Sequence, residues 1–245
     1  MALIKGSFYS ETLQQNINYT AFLPNQKHQQ LGVLYLLHGR SGDANSWLNQ
    51  TSLLRYLQDL PLVVFCPEVH LSYYTNLAFG GKYWDYLTTE FPAKMKVFHP
   101  FDFNYQFVAG NSMGGYGSLK WCLSEPQRFD LVGLLSPLID TQSLVATFPE
   151  TESEIHGIFG SSESAETSPA NLFLQLEKTT ASLPFIFHTC GSNDFLIADN
   201  LKLEKMMQAL ELDYQSHFSQ GYHDWKEWDT SLRDLLKKIK SVLEQ

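Results

Sequence analysis

Along this chain, short unbroken apolar blocks alternate with longer stretches in which apolar residues recur every three or four positions. The first pattern marks strands and the second helices. Residues 33–37 (Val-Leu-Tyr-Leu-Leu) and 62–66 (Leu-Val-Val-Phe-Cys) are continuously apolar, as strands covered by helices on both faces must be. Between them Trp47, Leu53, Leu54, Leu57 and Leu60 have helical spacing and supply the crossover that parallel strands require. Upstream, residues 3–24 predict a two-stranded hairpin at an antiparallel edge, the second strand placing Ile17, Tyr19, Ala21 and Leu23 on one side at period two.

Downstream, a Tyr- and Gly-rich loop over 73–81 leads to a helix around 83–91. A strand at 106–109 then runs into Gly110-Asn111-Ser112-Met113-Gly114 and a helix that ends before Pro126. Another buried strand follows at 131–135. Residues 139–183 break the rhythm. An acidic, Ser-rich stretch over 150–168 precedes Pro169 and a short helical pattern through Leu172, Phe173 and Leu176. That segment is either a cap over a site or a surface excursion, with neither favoured. Regularity returns with a strand at 185–189 ending at Gly191-Ser192-Asn193-Asp194, and a helix carrying Leu196, Ile197, Leu201, Met206, Met207 and Leu210. The last strand, 214–218, ends at Gly221-Tyr222-His223. A closing helix presents Trp225, Trp228, Leu232, Leu235, Leu236, Ile239 and Val242 as one amphipathic stripe.

This alternation predicts an α/β fold, a mostly parallel central sheet with helices on both faces, and with no repeat or low-complexity linker the expectation is one domain over 1–245. A chain of 245 residues with 44% hydrophobic content is long enough to bury a substantial core. Seventeen basic against 26 acidic residues give a net charge of −9 without any Lys/Arg cluster, which argues against nucleic acid and anionic membrane as partners. Cys66, Cys122 and Cys190 are an odd count in apolar settings without metal-ligand spacing. They read as buried free thiols in a reducing compartment. The N-terminal residues lack a signal-peptide pattern, and no run approaches the roughly 20 apolar residues of a membrane span. The expectation is a soluble cytoplasmic protein.

In open parallel sheets, chemistry sits beyond the C-terminal ends of the strands. Four predicted strands end in loops with reactive or polar residues: His38-Gly39-Arg40-Ser41-Gly42, the Ser112 turn, Asp194 and His223. A serine on a tight strand-to-helix turn, with glycines two positions either side, is presented above the sheet. The helix that begins there offers unpaired N–H groups, and the Met113 N–H is the natural donor to an oxyanion forming beside Ser112. A serine becomes nucleophilic when a neutral imidazole accepts its proton and a carboxylate fixes the imidazole tautomer. The order Ser, Asp, His is the order of the triad in α/β-hydrolases. Ser112 is therefore assigned as nucleophile, His223 as general base then acid, and Asp194 as orienter.

Other residues compete for these roles. Asp199 falls inside a helix and Asp224 adjoins His223, so neither holds the loop position after a strand that Asp194 holds. His38 ends a strand beside the site and is read as a structural hydrogen-bonding residue. His188 is read as a strand residue with a local partner; His28, His99, His156 and His217 have no companion motif, and His70 stays unassigned. Trp225 and Trp228 are read as core anchors. Tyr73, Tyr74, Tyr83, Trp84 and Tyr116 are expected near the mouth of the site, where bulky rings would close an acyl pocket.

The stretches Leu36-Leu37-His38-Gly39 with Ser41-Gly42 and Ser46-Trp47, Ser112-Met113-Gly114-Gly115-Tyr116-Gly117, Gly191 with Asp194-Phe195-Leu196, and His223 with Trp225 and Trp228 resemble the esterase D-like branch of the α/β-hydrolases, above all bacterial tributyrin esterases. The resemblance runs over nearly the whole chain. It implies the α/β-hydrolase fold and an intracellular carboxylesterase of short acyl chains, with Ser112, Asp194 and His223 as triad. It also implies an oxyanion hole from the backbone N–H groups of Met113 and Arg40. Arg40, Asn111 and the Tyr73-Tyr74-Thr75-Asn76 stretch depart from the residues common there.

The resulting expectation is hydrolysis of a small-molecule ester through an acyl-serine intermediate, without metal or organic cofactor; a homo-oligomer is compatible with the sequence. One alternative is a thioesterase like S-formylglutathione hydrolase, against which His38-Gly39-Arg40-Ser41-Gly42 speaks. A mycolyltransferase-like acyltransferase would call for secretion. A catalytically silent hydrolase fold that binds a partner protein would have no chemical need for all three of Ser, Asp and His.

Overall fold

The computed structural model describes residues 1–25, 29–160 and 171–244. His28, Pro169 and residues 161–168 of the Ser-rich stretch lie outside the described residues. Eight strands form one sheet in the order β1-β2-β4-β3-β5-β6-β7-β8. They are β1 (Ala2–Ser10), β2 (Gln15–Leu23), β3 (Gly32–Leu37), β4 (Leu62–Pro67), β5 (Tyr105–Asn111), β6 (Leu131–Leu135), β7 (Phe185–Gly191) and β8 (Tyr214–Ser219). The hairpin β1-β2 is antiparallel and joins β4 antiparallel, whereas every pairing from β4 through β3 to β8 is parallel.

Successive residues of a strand point to opposite faces, and the unbroken apolar runs follow from that. Val33, Tyr35 and Leu37 join one buried cluster with Val63 and Phe65, while Leu34 and Leu36 join the other with Leu62, Val64 and Cys66. The first face is covered by α3 (Tyr83–Asp85), α4 (Phe91–Phe98) and α5 (Met113–Ser124), and by α9 (Ile197–Ala209). The second is covered by α1 (Ser46–Gln50), α2 (Leu53–Tyr56) and α10 (Trp225–Leu243), whose Leu232, Leu235, Leu236, Ile239 and Leu243 are buried. Between β6 and β7 lie α6 (Thr141–Thr147), a short 3₁₀ turn Pro149–Thr151, α7 (Glu152–Phe159) and α8 (Leu172–Lys178).

Three local expectations need correction. The helix expected to end around residue 91 runs on to Phe98 through Pro92, with a π-helical turn at Tyr86–Glu90 before it. In an α-helix the N–H that Pro92 lacks would bond to the Thr88 carbonyl; Arg128 Nη1 donates to that carbonyl instead, at 3.3 Å. The crossover between β3 and β4 is two short helices, and Leu54 is exposed. Leu201 is exposed too, because α9 turns the polar Asn200 inward in its place. There Asn200 Oδ1 accepts from His188 Nε2 (2.9 Å), its Nδ2 donates to the carbonyls of Pro137 (3.2 Å) and Leu196 (2.8 Å), and Ser216 Oγ donates to His188 Nδ1 (3.0 Å). This satisfied polar network ties β7, β8 and α9 together. Burial lowers the His188 imidazole to about 4.

Candidate active site

Ser112 lies between β5 and α5 with φ 53° and ψ −115°, a left-handed conformation that costs a non-glycine residue about 1–3 kcal/mol. The surroundings hold it there. Its N–H donates to the Leu135 carbonyl (3.0 Å), and its own carbonyl accepts from the N–H groups of Tyr116 (3.0 Å) and Leu138 (3.1 Å). The flanking glycines serve close approach: a Cβ at Gly110 would lie 2.5 Å from the carbonyl carbon of Gly114, and one at Gly114 would overlap the Leu37 carbonyl oxygen.

Asp194 and His223 come from the loops after β7 and β8. Those loops are stapled together, with Ser192 N–H donating to the Ser219 carbonyl (2.7 Å) and Asn193 N–H to the Gly221 carbonyl (2.9 Å). The Asp194 side chain is buried; Oδ1 accepts from the Leu196 N–H (2.8 Å) and Oδ2 from His223 Nδ1 (2.7 Å). Ser112 Oγ donates to His223 Nε2 at 3.0 Å. An ionised carboxylate only accepts, so the imidazole carries its proton on Nδ1 and offers Nε2 as base. The rival carboxylates are engaged elsewhere. Asp224 caps α10 by accepting from the Glu227 N–H (3.0 Å), and Asp199 stands on α9, its carboxyl pushed up by burial.

After β3, His38 turns back on its own chain. Val69 N–H donates to Nε2 (3.2 Å), which leaves Nδ1 as the donor to the Gly39 carbonyl (2.8 Å); the Gly42 N–H donates to the same oxygen (3.1 Å). That carbonyl belongs to the peptide whose N–H is that of Arg40. In a trans peptide the two point in opposite directions, so two donors pinning the oxygen on one side direct the Arg40 N–H to the other. Tyr74 Oη adds a third brace by donating to the His38 carbonyl (2.8 Å). Burial holds the His38 imidazole down to about 4, so it stays neutral.

A cleft of about 510 Å³ opens over Ser112, with Arg40 and Met113 on its wall. The segment between β6 and β7 contributes Leu138, Leu144 and Phe148 to its lining. Arg40 is held to that segment: Nε donates to Glu154 Oε1 (3.0 Å) and Nη2 to Oε2 (2.7 Å). Tyr73 lines the cleft with a buried hydroxyl near the Arg40–Glu154 pair. Burial, and then the charge of Glu154, push that phenol above its ordinary range.

Two expectations about aromatic residues are corrected here. Trp225 and Trp228 do pack on the core beneath the sheet, but both also line the cleft, and Trp228 meets His223 edge-on at 4.9 Å. Of the five rings expected at the mouth, only Tyr73 lines the cleft. Tyr74 and Tyr116 are fully buried, Tyr83 is buried with its hydroxyl accepting from Gln15 (3.1 Å), and Trp84 carries the Lys120 ammonium over its face at 4.4 Å. Phe148, Leu138 and Leu144 went unnoticed because their segment has no period to read. Cys66, Cys122 and Cys190 are free and buried, which pushes the Cys122 thiol up to about 12. Among the described residues no group of His, Cys, Asp and Glu has the arrangement of a metal site, and no helix is long and apolar enough to cross a membrane.

The family described as putative esterase matches residues 10–239. An acetyl esterase of Caldicellulosiruptor saccharolyticus is 25% identical over 274 aligned positions, covering 99% of both chains. Among solved structures, the fluorophosphonate-binding serine hydrolase F of Staphylococcus aureus superposes with a TM-score of 0.89 at 29% identity, over 97% of this chain and 98% of that one. An S-formylglutathione hydrolase of Staphylococcus aureus gives 0.87 at 29% identity, with the same coverage.

Proposed function

The chain belongs to the putative esterase family, carboxylic ester hydrolases on the α/β-hydrolase fold, and on that premise we propose a serine esterase that cleaves short-chain acyl esters. One observation carries the reading: the unbroken relay from Ser112 Oγ to His223 Nε2 at 3.0 Å and from His223 Nδ1 to Asp194 at 2.7 Å. In this reading Ser112 attacks the ester carbonyl while His223 takes its proton, and Asp194 stabilises the imidazolium. The oxyanion accepts from the N–H groups of Met113 and Arg40. Collapse breaks the carbon–oxygen bond, and His223 gives the proton to the departing alcohol. Water then repeats the sequence on the acyl-serine. Every proton moves through His223, so the cycle calls for no metal or organic cofactor.

The preference for short acyl groups is supported by the acetyl esterase relative and by the apolar side chains of Leu138 and Leu144 that line the cleft. Three buried free thiols support a reducing compartment, the cytoplasm. A second reading, a thioesterase acting on S-formylglutathione, is favoured by the likeness to the staphylococcal enzyme of that name. A panel of p-nitrophenyl esters from two to twelve acyl carbons, assayed beside S-formylglutathione, separates the two. The ester reading expects the highest kcat/KM at two to four carbons. A steady rise to the longest ester, or dominance of the thioester, would replace it.

A further inference from the structure

In the acylation step the proton taken from Ser112 is handed by His223 Nε2 to the departing oxygen, so the alcohol portion of the ester must lie against the His223 ring. Aromatic side chains that line the cleft surround that ring. The Phe195 ring lies 4.5 Å from the imidazole, and Phe148 meets Phe195 edge-on at 5.1 Å. Trp228 meets the same imidazole edge-on at 4.9 Å and is buried. Phe195 and Phe148 are 39% and 37% exposed, both line the cleft, and neither belongs to either buried cluster of the fold. Leaving two large rings open to water forgoes the burial that stabilises their counterparts in the core. Their pairing joins segments far apart in sequence, one beside Asp194 and one from the excursion after α6, and places the two rings next to the His223 imidazole.

We propose that Phe195 and Phe148 form the leaving-group subsite and that it selects a flat aromatic alcohol, a phenol, over an alkyl alcohol of equal acidity. The inference rests on the ester-hydrolase reading above. The Ser112 Oγ–carbon bond forms, the carbon–oxygen bond to the aryl group breaks, and the electron pair leaves on the phenolic oxygen. That oxygen receives the proton His223 took from Ser112. The aryl group is then gone, so its contacts with Phe195 and Phe148 accelerate acylation and have no part in deacylation.

The test compares phenyl acetate with a fluorinated alkyl acetate whose alcohol matches phenol in acidity, reading acylation from the pre-steady-state burst and deacylation from decay of the acetyl-enzyme. Stacking of the order seen between aromatic side chains predicts acylation about tenfold faster with the aryl ester. In Phe195→Leu and Phe148→Leu, which keep apolar bulk but lose the flat ring, that ratio should fall toward one, while deacylation within each variant is the same from either ester. A general packing defect would slow both esters alike and leave the ratio standing, and that result would overturn the proposal. So would a wild-type ratio near one. If neither acetate forms an acetyl-enzyme, the esterase reading itself fails, and this inference with it.

Discussion

The strand-end loops that carry Ser112, Asp194 and His223 differ from the excursion between β6 and β7 in how they are held. In the first, backbone and side chain are fixed by hydrogen bonds to neighbouring strands: Ser112 to Leu135 and Leu138, Asp194 to Leu196, the Asp194 loop to the His223 loop. Among its described residues the second carries only helices of seven and eight residues, with a 3₁₀ turn between α6 and α7. It leans on the body through apolar residues such as Leu144, Ile155 and Leu176, and through the Arg40–Glu154 pair. Chemistry needs geometry held to a fraction of an ångström, which sheet ends supply. Selectivity needs only a wall, and a wall can be altered without disturbing the relay.

The sharpest break between the regions is Ser112→Ala. It should lower esterase activity by about 10⁴-fold or more, since the proposed nucleophile goes while the proposed oxyanion donors stay. Circular dichroism and thermal midpoint should remain those of the wild type. Residual activity near the wild-type level would remove chemistry from the strand ends.

The next largest effect is acid sensitivity of the sheet side. His38 and His188 are buried with their imidazoles lowered to about 4. Between that value and the ordinary 6.5 the unfolded chain binds the protons and the folded chain does not, so stability falls as pH falls through this window. At pH 5 each histidine should cost on the order of 2 kcal/mol relative to pH 7. Urea titrations at the two pH values measure it, and a flat profile would mean that these rings are not held neutral.

Smaller again is the effect of His38→Gln. The side chain acts through the Gly39 carbonyl, so kcat should fall by about tenfold with little change in KM, below the 10²–10³ typical of losing an oxyanion donor outright. A change in KM alone would make His38 a purely structural residue. The smallest effect belongs to the excursion. Glu154→Gln removes a partly exposed ion pair, contributing at most about 1 kcal/mol. It should raise the octanoyl-to-butyryl ratio of kcat/KM by about threefold. No change in that ratio would detach the excursion from acyl selection.

The same contrast governs what could be read before the structure. The parallel strands were legible because Val33 to Leu37 and Leu62 to Cys66 must feed two cores at once. Ser112 was legible because a strand period stops and a helix period starts on either side of it. The cleft was not, since its wall is assembled from short segments with too few turns to show a period: Leu138 precedes the seven-residue α6, Leu144 lies within it and Phe148 follows it. Trp225 and Trp228 obey a helical stripe and so read as core, yet a large ring can reach the core with one edge and the cleft with the other. Tyr74 misled for the opposite reason. Its loop looks exposed, but the hydroxyl is spent on the His38 carbonyl. Pro92 gave no hint that Arg128, distant in sequence, would replace its missing donor.

The central claim, that Ser112 is acylated from the strand-end relay, is tested most directly by rapid quench of the enzyme with p-nitrophenyl acetate, followed by peptide mapping by mass spectrometry. The account predicts a burst of one p-nitrophenolate per chain and a single acetyl group on the peptide containing Ser112, with both lost in Ser112→Ala. Turnover with the acetyl group on another residue, or turnover undiminished in Ser112→Ala, would contradict it.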